Sequence, residues 1–166
     1  MIRIYLDTNV IIARYKPQDP LFLASNDLFE RKDLVFTISP LTLVELHSVI
    51  SRLKSQLIFS NKIKDVDSRT LVSFIIRDCN LQFLARNFLF SYKGEKSRAR
   101  IPLEYYLSII FADKIQLRTL DLMHIAYAYM IKDFIDVFTT GDEEILEKSN
   151  VIERLLGITV KHPKEI

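Results

Sequence analysis

A chain of 166 residues, 49% of them hydrophobic, has the length and apolar content of one globular domain with a self-sufficient core. Three Gly and five Pro mark no linker, repeat or low-complexity tract, a single Cys excludes an internal disulfide framework, and no apolar run reaches the ~18–20 residues of a membrane helix. A net charge of +2 is too mild to argue for a polyanionic partner and the N-terminus does not read as a signal peptide, so one domain over residues 1–166 is expected, in a reducing cytoplasmic setting without membrane association.

Ile2, Ile4 and Leu6 alternate with Arg3 and Tyr5, which predicts a strand that ends near Asp7, followed at once by a helical turn over Val10 to Ala13. A helix is predicted at 20–31 and a buried, β-branched strand in "LVFTIS" at 34–39. Ser39 as N-cap and Pro40 at the first helical position then start a helix at 40–54, with Leu43, Leu46, Ile50 and Leu53 at helical spacing and Glu45 on its first turns. Residues 55–115 read as helical with an interruption. Leu71, Phe74 and Ile75 space a helix at 67–78, "LQFLARNFLFSY" at 81–92 fits either an extended or a helical conformation, and a helix resumes over 102–116. "LRTLDLMHIAYAYMIKD" at 117–133 is apolar almost all round, the mark of a buried helix. Strands in "DVFTT" at 136–140 and "ITVKH" at 158–162 complete the chain, with Gly141-Asp142 and a helix from about Glu143 between them.

Strands that alternate with helices along the whole chain predict an α/β fold with a central parallel twisted sheet flanked by helices. In such sheets the ligand crevice lies outside the carboxyl ends of the strands, and both Asp7 and Asp142 follow strand ends. Carboxylates gathered there repel one another unless a cation sits among them. All-oxygen ligation suits Mg²⁺ or Mn²⁺, and such an ion beside a phosphodiester acidifies water and offsets charge on the leaving oxygen. The candidates are Asp7, Glu45, Asp121 and Asp142. Asp121 carries the most weight, because a charge at the start of a nearly all-apolar helix is costly without a partner, although a first-turn acid on the helix dipole looks the same. Asp142 reads equally as an N-cap and as a ligand, and Glu45 alone reads as a solvated helix glutamate.

Taken in order, "YLDTNVII", "LTLVEL", "LRTLDLMHIAYA" and "FTTGDEEIL" resemble the four motif regions of PIN-domain proteins, VapC-like toxin ribonucleases in particular, over residue 4 to about 146. The resemblance implies a PIN-like α/β/α sandwich and a Mg²⁺- or Mn²⁺-dependent endoribonuclease, the toxin of a toxin–antitoxin pair, with an RNA substrate, an antitoxin protein as partner and a homodimeric state. It makes Asp7, Glu45, Asp121 and Asp142 the metal-binding acids, while Thr8, Asn9 and Thr140 orient carboxylates or water from behind them. The stretch 55–115 is longer than in compact members and matches no motif. Within it, Arg86, Lys93, Lys96, Arg98 and Arg100 face a single acid, Glu95, and form a candidate RNA-binding patch that a solvated loop would also explain.

His124, three residues after Asp121, is expected as a hydrogen-bonded core histidine rather than a ligand, and His47 likewise. Tyr105, Tyr106, Tyr127 and Tyr129 lie at helical spacing in apolar company and read as packing. The alternative function is a non-catalytic PIN-fold module that binds RNA or protein, against which the presence of all four acids counts. A phospho-acceptor receiver domain with Asp7 as acceptor ranks last, lacking an early acidic pair and a lysine on a late strand.

Overall fold

A computed structural model describes residues 1–59, 66–85, 88–93 and 98–166. The elements are β1 (Ile2–Leu6), α1 (Thr8–Ala13), α2 (Phe22–Glu30), β2 (Leu34–Ile38), α3 (Pro40–Leu53), α4 (Ser68–Asp78), β3 (Leu81–Phe83), β4 (Leu89–Lys93), β5 (Arg98–Pro102), α5 (Leu103–Ile115), α6 (Thr119–Met130), β6 (Val137–Thr139), α7 (Glu143–Glu147), α8 (Ser149–Leu156) and β7 (Val160–Lys161). Five strands form one sheet in the order β3-β2-β1-β6-β7, and every pairing in it is parallel.

The period of two along β1 explains the layers. Ile4 and Leu6 point to one face, into a core with Val10 and Ile11 of α1, Leu46 and Ile50 of α3, and Leu71 and Ile75 of α4. Tyr5 points to the other, against Phe138, Ile125 of α6, Ile145 of α7 and Ile152 of α8. β6 divides its side chains in the same way, Val137 to the first core and Phe138 to the second. Helices therefore cover both faces, as a parallel sheet requires, and the α/β/α sandwich with a central parallel sheet is the fold found.

Local chemistry sets the boundaries. Ser39 caps α3 through a reciprocal pair, its hydroxyl accepting from the Thr42 N–H and the Thr42 hydroxyl accepting from the Ser39 N–H, with Pro40 at the first position. Asp67 caps α4 with bonds from the Arg69 and Thr70 amides. α8 stops at Gly157, whose φ of +68° suits a residue without a side chain. Cys79 is a buried free thiol at the end of α4, and burial pushes its pKa up to about 11.

Within the stretch 55–115, the helices expected at 67–78 and 102–116 are found as α4 and α5, while the part between them, left open as extended or helical at 81–92, is extended and carries three strands among the described residues. β3 is an edge strand of the main sheet, and β4 and β5 form an antiparallel two-stranded ribbon of their own. In β4 the adjacent apolar residues Leu89 and Phe90 blur the period of two, whereas Arg98, Ala99, Arg100 and Ile101 of β5 alternate. Elsewhere the elements are shorter than expected: the last two sheet strands span Val137–Thr139 and Val160–Lys161, and the apolar helix spans Thr119–Met130. Of the tyrosines, Tyr127 is buried, Tyr106 stacks on Phe90 and Tyr129 meets Phe111 edge-on, whereas Tyr105 is half exposed.

Candidate active site

The carboxyl ends of β1 and β6 lie side by side, tied by the Asp7 N–H donating to the Thr139 carbonyl at 3.0 Å. From β1 the chain proceeds to β2 on one side, and from β6 to β7 on the other. The crevice between them falls at the switch point of the sheet, where parallel α/β folds bind ligands. A cavity of about 360 Å³ opens there, lined by Asp7, Glu45, Asp121 and Asp142, with Asp19 as a further acid.

The Asp-Thr-Asn triplet divides the work of building this wall. Asp7 is buried, and its Oδ2 accepts from the Thr140 hydroxyl at 2.6 Å and from the Asn9 amide at 2.9 Å. Its Oδ1 has no hydrogen bond and stands 3.9 Å from His124 Nε2. The Asn9 Oδ1 accepts from the Gly141 N–H at 3.1 Å, and the Asn9 amide also reaches the Thr140 hydroxyl, so Asn9 bolts the end of β1 to the turn after β6. At Gly141 a Cβ would lie 2.1 Å from a Leu21 methyl, which explains the glycine beside this joint. Thr8 turns the other way and donates its hydroxyl to Glu45 Oε2.

Glu45 sits on the second turn of α3, and its Oε2 also accepts from His124 Nε2 at 2.8 Å. His124 is 2% exposed, and its Nδ1 lies 2.8 Å from the Tyr5 hydroxyl. That hydroxyl also lies 3.0 Å from Ser39 Oγ. Burial opposes a charge on the ring, but the bond to Glu45 and the charges of Asp7, Glu45 and Asp121 hold the His124 pKa above its ordinary value. Burial likewise works against the Glu45 carboxylate, yet the His124 bond and charge and the Thr8 hydroxyl keep its pKa below the usual range. Burial raises the Tyr5 phenol, which stays neutral.

Asp121 stands in the first turn of α6. Its Oδ2 is buried without a hydrogen-bond partner, and the nearest cation is Arg118 Nε at 3.4 Å. Burial first, then the charges of Asp142 and Asp7, raise the Asp121 pKa against the opposing pull of Arg118. Asp142 is the N-cap of α7, its Oδ1 accepting from the Glu144 and Ile145 amides, while its Oδ2 lies 3.3 Å from Arg118 Nη2. Arg118, 67% exposed, thus spans Asp121, Asp142 and Glu144 across the rim of the cavity.

The structure brings donor atoms of Asp7, Glu45 and His124 within 4.8 Å of one another, while Asp121 and Asp142 line the same cavity outside that cluster. The carboxylate oxygens among these atoms fit a hard divalent ion: among the described residues Asp7 Oδ1 accepts no hydrogen bond and Asp121 Oδ2 is a buried acceptor without one, while burial and then the charges of Asp142 and Asp7 raise the Asp121 pKa. Lys93, Arg98 and Arg100 fall on β4 and β5, away from the cavity lining, and Arg86 and Lys96 lie outside the described residues.

His124, Arg118, Asp19 and Arg52 are among the residues at the site that sequence reasoning left out of it. The histidine is the hydrogen-bonded core residue expected, but its partner is one of the acids. For Arg118 the available signal was its place three residues before Asp121, the spacing of a helical ion pair.

A parallel sheet between helical layers, with a carboxylate-lined crevice at its strand ends, defines an α/β domain suited to holding a cation there. The PIN domain family model matches residues 4–150, and the chain belongs to that family. Among solved structures it is similar to a chain of VapBC2 from Rickettsia felis bound to a DNA fragment from their promoter. The likeness has a TM-score of 0.55 at 12% identity and covers 97% of this chain and 98% of that one. At that identity it is a likeness of fold. None of the curated proteins matches the chain.

Proposed function

We propose that the protein is a VapC-like endoribonuclease, hydrolysing RNA phosphodiester bonds with Mg²⁺ or Mn²⁺ held by Asp7, Glu45, Asp121 and Asp142. The observation that carries this reading is the state of the carboxylates. Asp7 is tethered through Oδ2 with Oδ1 open, Glu45 is tethered through Oε2, and Asp121 Oδ2 is buried without a hydrogen bond. Folding has oriented acids toward a cavity and left Asp7 Oδ1 and Asp121 Oδ2 without a hydrogen bond among the described residues.

Asp7, Glu45, Asp121 and Asp142 would hold a divalent cation, which would supply the positive charge that acidifies water and offsets charge on a scissile phosphate. Thr140 and Asn9 fix the rotamer of Asp7, and Thr8 and His124 fix that of Glu45, so neither acid has to reorganise when the substrate arrives. The bonds from His124 and the Thr8 hydroxyl favour the ionised form of Glu45 against its burial. Arg118, exposed at the rim among Asp121, Asp142 and Glu144, is placed to meet a phosphate at the cavity mouth.

The reading brings with it an antitoxin protein as partner, a homodimeric state and a cytoplasmic setting. An antitoxin is in keeping with the toxin–antitoxin origin of the structural neighbour, and among the described residues no helix is long and apolar enough to cross a membrane. Cleavage of a mixed-sequence RNA by the purified protein tests the activity. Cleavage in Mn²⁺ is expected, with loss in excess EDTA and a fall of at least ~10²-fold for Asp7→Asn in Mn²⁺. Equal cleavage in EDTA would sink the metal mechanism, and no cleavage in any lane would move the protein to the RNA- or protein-binding module.

A further inference from the structure

The β4–β5 ribbon takes no part in the acidic cavity, and its two faces differ sharply. Its register pairs Phe90 with Ile101 and Tyr92 with Ala99 on one face, and Leu89 with Pro102, Ser91 with Arg100 and Lys93 with Arg98 on the other. Phe90 stacks on Tyr106 of α5 with ring centroids 3.8 Å apart, which turns the first face toward the domain. The second face therefore points outward and carries Lys93, Arg98 and Arg100, all exposed. Among the described residues none of these three is in an ion pair, and no acid lies on either strand.

This arrangement costs stability in the free protein. Like charges directly opposite each other across an antiparallel pair are unfavourable, and Lys93 faces Arg98 in that way. A two-stranded ribbon is also marginal by itself, so it is a poor place to store repulsion. Three cations on the outward face of a ribbon, with no ion pair among the described residues and with Ser91 among them as a neutral donor, are complementary to a row of phosphates.

We propose that this outward face of the ribbon binds the sugar–phosphate backbone of single-stranded RNA. The choice of RNA rests on the ribonuclease reading above. The contacts are to phosphates, so the face adds affinity and leaves sequence choice to other parts of the molecule.

The test is fluorescence anisotropy with a labelled mixed-sequence single-stranded RNA, using full-length Asp7→Asn protein in EDTA across a salt series. That protein is compared with the same background carrying Lys93→Ala, Arg98→Ala and Arg100→Ala. Loss of three phosphate contacts on a single strand should reduce the slope of log affinity against log salt by about 2, and weaken binding at low salt by roughly tenfold or more. A charge-keeping version, Lys93→Arg with Arg98→Lys and Arg100→Lys, should restore both. An unchanged slope and affinity in the alanine variant would overturn the proposal, as would a loss that the charge-keeping version does not restore, or a ribbon contribution to duplex DNA binding larger than that to RNA. The measurement needs neither metal nor cleavage, so a protein that binds RNA through the ribbon but cuts nothing would refute the ribonuclease reading alone.

Discussion

At the scale of single residues, the triplet at 7–9 explains itself only when each side chain is followed to its partner. Asp7 faces the cavity, Thr8 braces Glu45 from across the sheet end, and Asn9 ties Asp7 to the 140–141 turn. The placement of these three residue types after a strand was legible in the sequence, while the bracing role of Thr8, Asn9 and Thr140 was an implication of the family resemblance, beside which the structure sets their hydrogen bonds to Glu45 and Asp7. The part played by His124 was not. Its partners Tyr5 and Glu45 lie 119 and 79 positions away, and no local pattern reports such a contact. A histidine in an apolar helix reads the same whether it bonds a backbone carbonyl or holds a site acid. Asn9→Ala gives the test at this scale. It removes the donor to Asp7 Oδ2 and leaves the Gly141 N–H without its acceptor, so RNA cleavage and Mn²⁺ affinity should both fall by about 10- to 100-fold. Cleavage rates and calorimetric affinity at the wild-type level would show that Asn9 does not position Asp7.

At the scale of elements, helices were read well where caps announce them and poorly where strands are short. Ser39-Pro40 announces α3, and the structure bears out the start at Pro40. By contrast β3, at three residues, offers too few positions for a period of two to emerge, and in β4 the adjacent Leu89 and Phe90 read equally as part of an apolar helix, although the alternation of Arg98 to Ile101 in β5 was a strand signal. Asp142, readable as a cap or as a ligand, does cap α7 with one oxygen and keeps the other on the cavity side with Arg118. Ser39 links an element's stability to the site, because its hydroxyl caps α3 and also accepts from Tyr5, which in turn orients His124. Ser39→Ala should lower unfolding stability in urea by about 1–2 kcal/mol, the ordinary range for a lost N-cap. A change within a few tenths of that unit in either direction would mean that the cap is not a source of stability here.

At the scale of the whole molecule, alternation along β1 sends Ile4 and Leu6 into one core and Tyr5 into the other, and this division places the site. The helices that carry Glu45 and Asp121 pack on opposite sides of the sheet, α3 in the core of Ile4 and α6 in the core of Tyr5, and meet over its carboxyl edge. The α/β architecture followed from the order of strands and helices alone, whereas the strand order β3-β2-β1-β6-β7 depends on packing that no stretch of sequence displays. Convergence of four acids from β1, α3, α6 and the turn after β6 is a property of that packing. The most direct measurement of its purpose is a calorimetric titration of Mn²⁺ into the wild-type protein, Asp7→Asn and Glu45→Gln. Saturable binding by the wild type, weakened by at least ~10-fold in each variant while both keep the wild-type thermal transition, is the expected result. Absence of binding by the folded wild-type protein, or binding that both substitutions leave unchanged, would contradict the account.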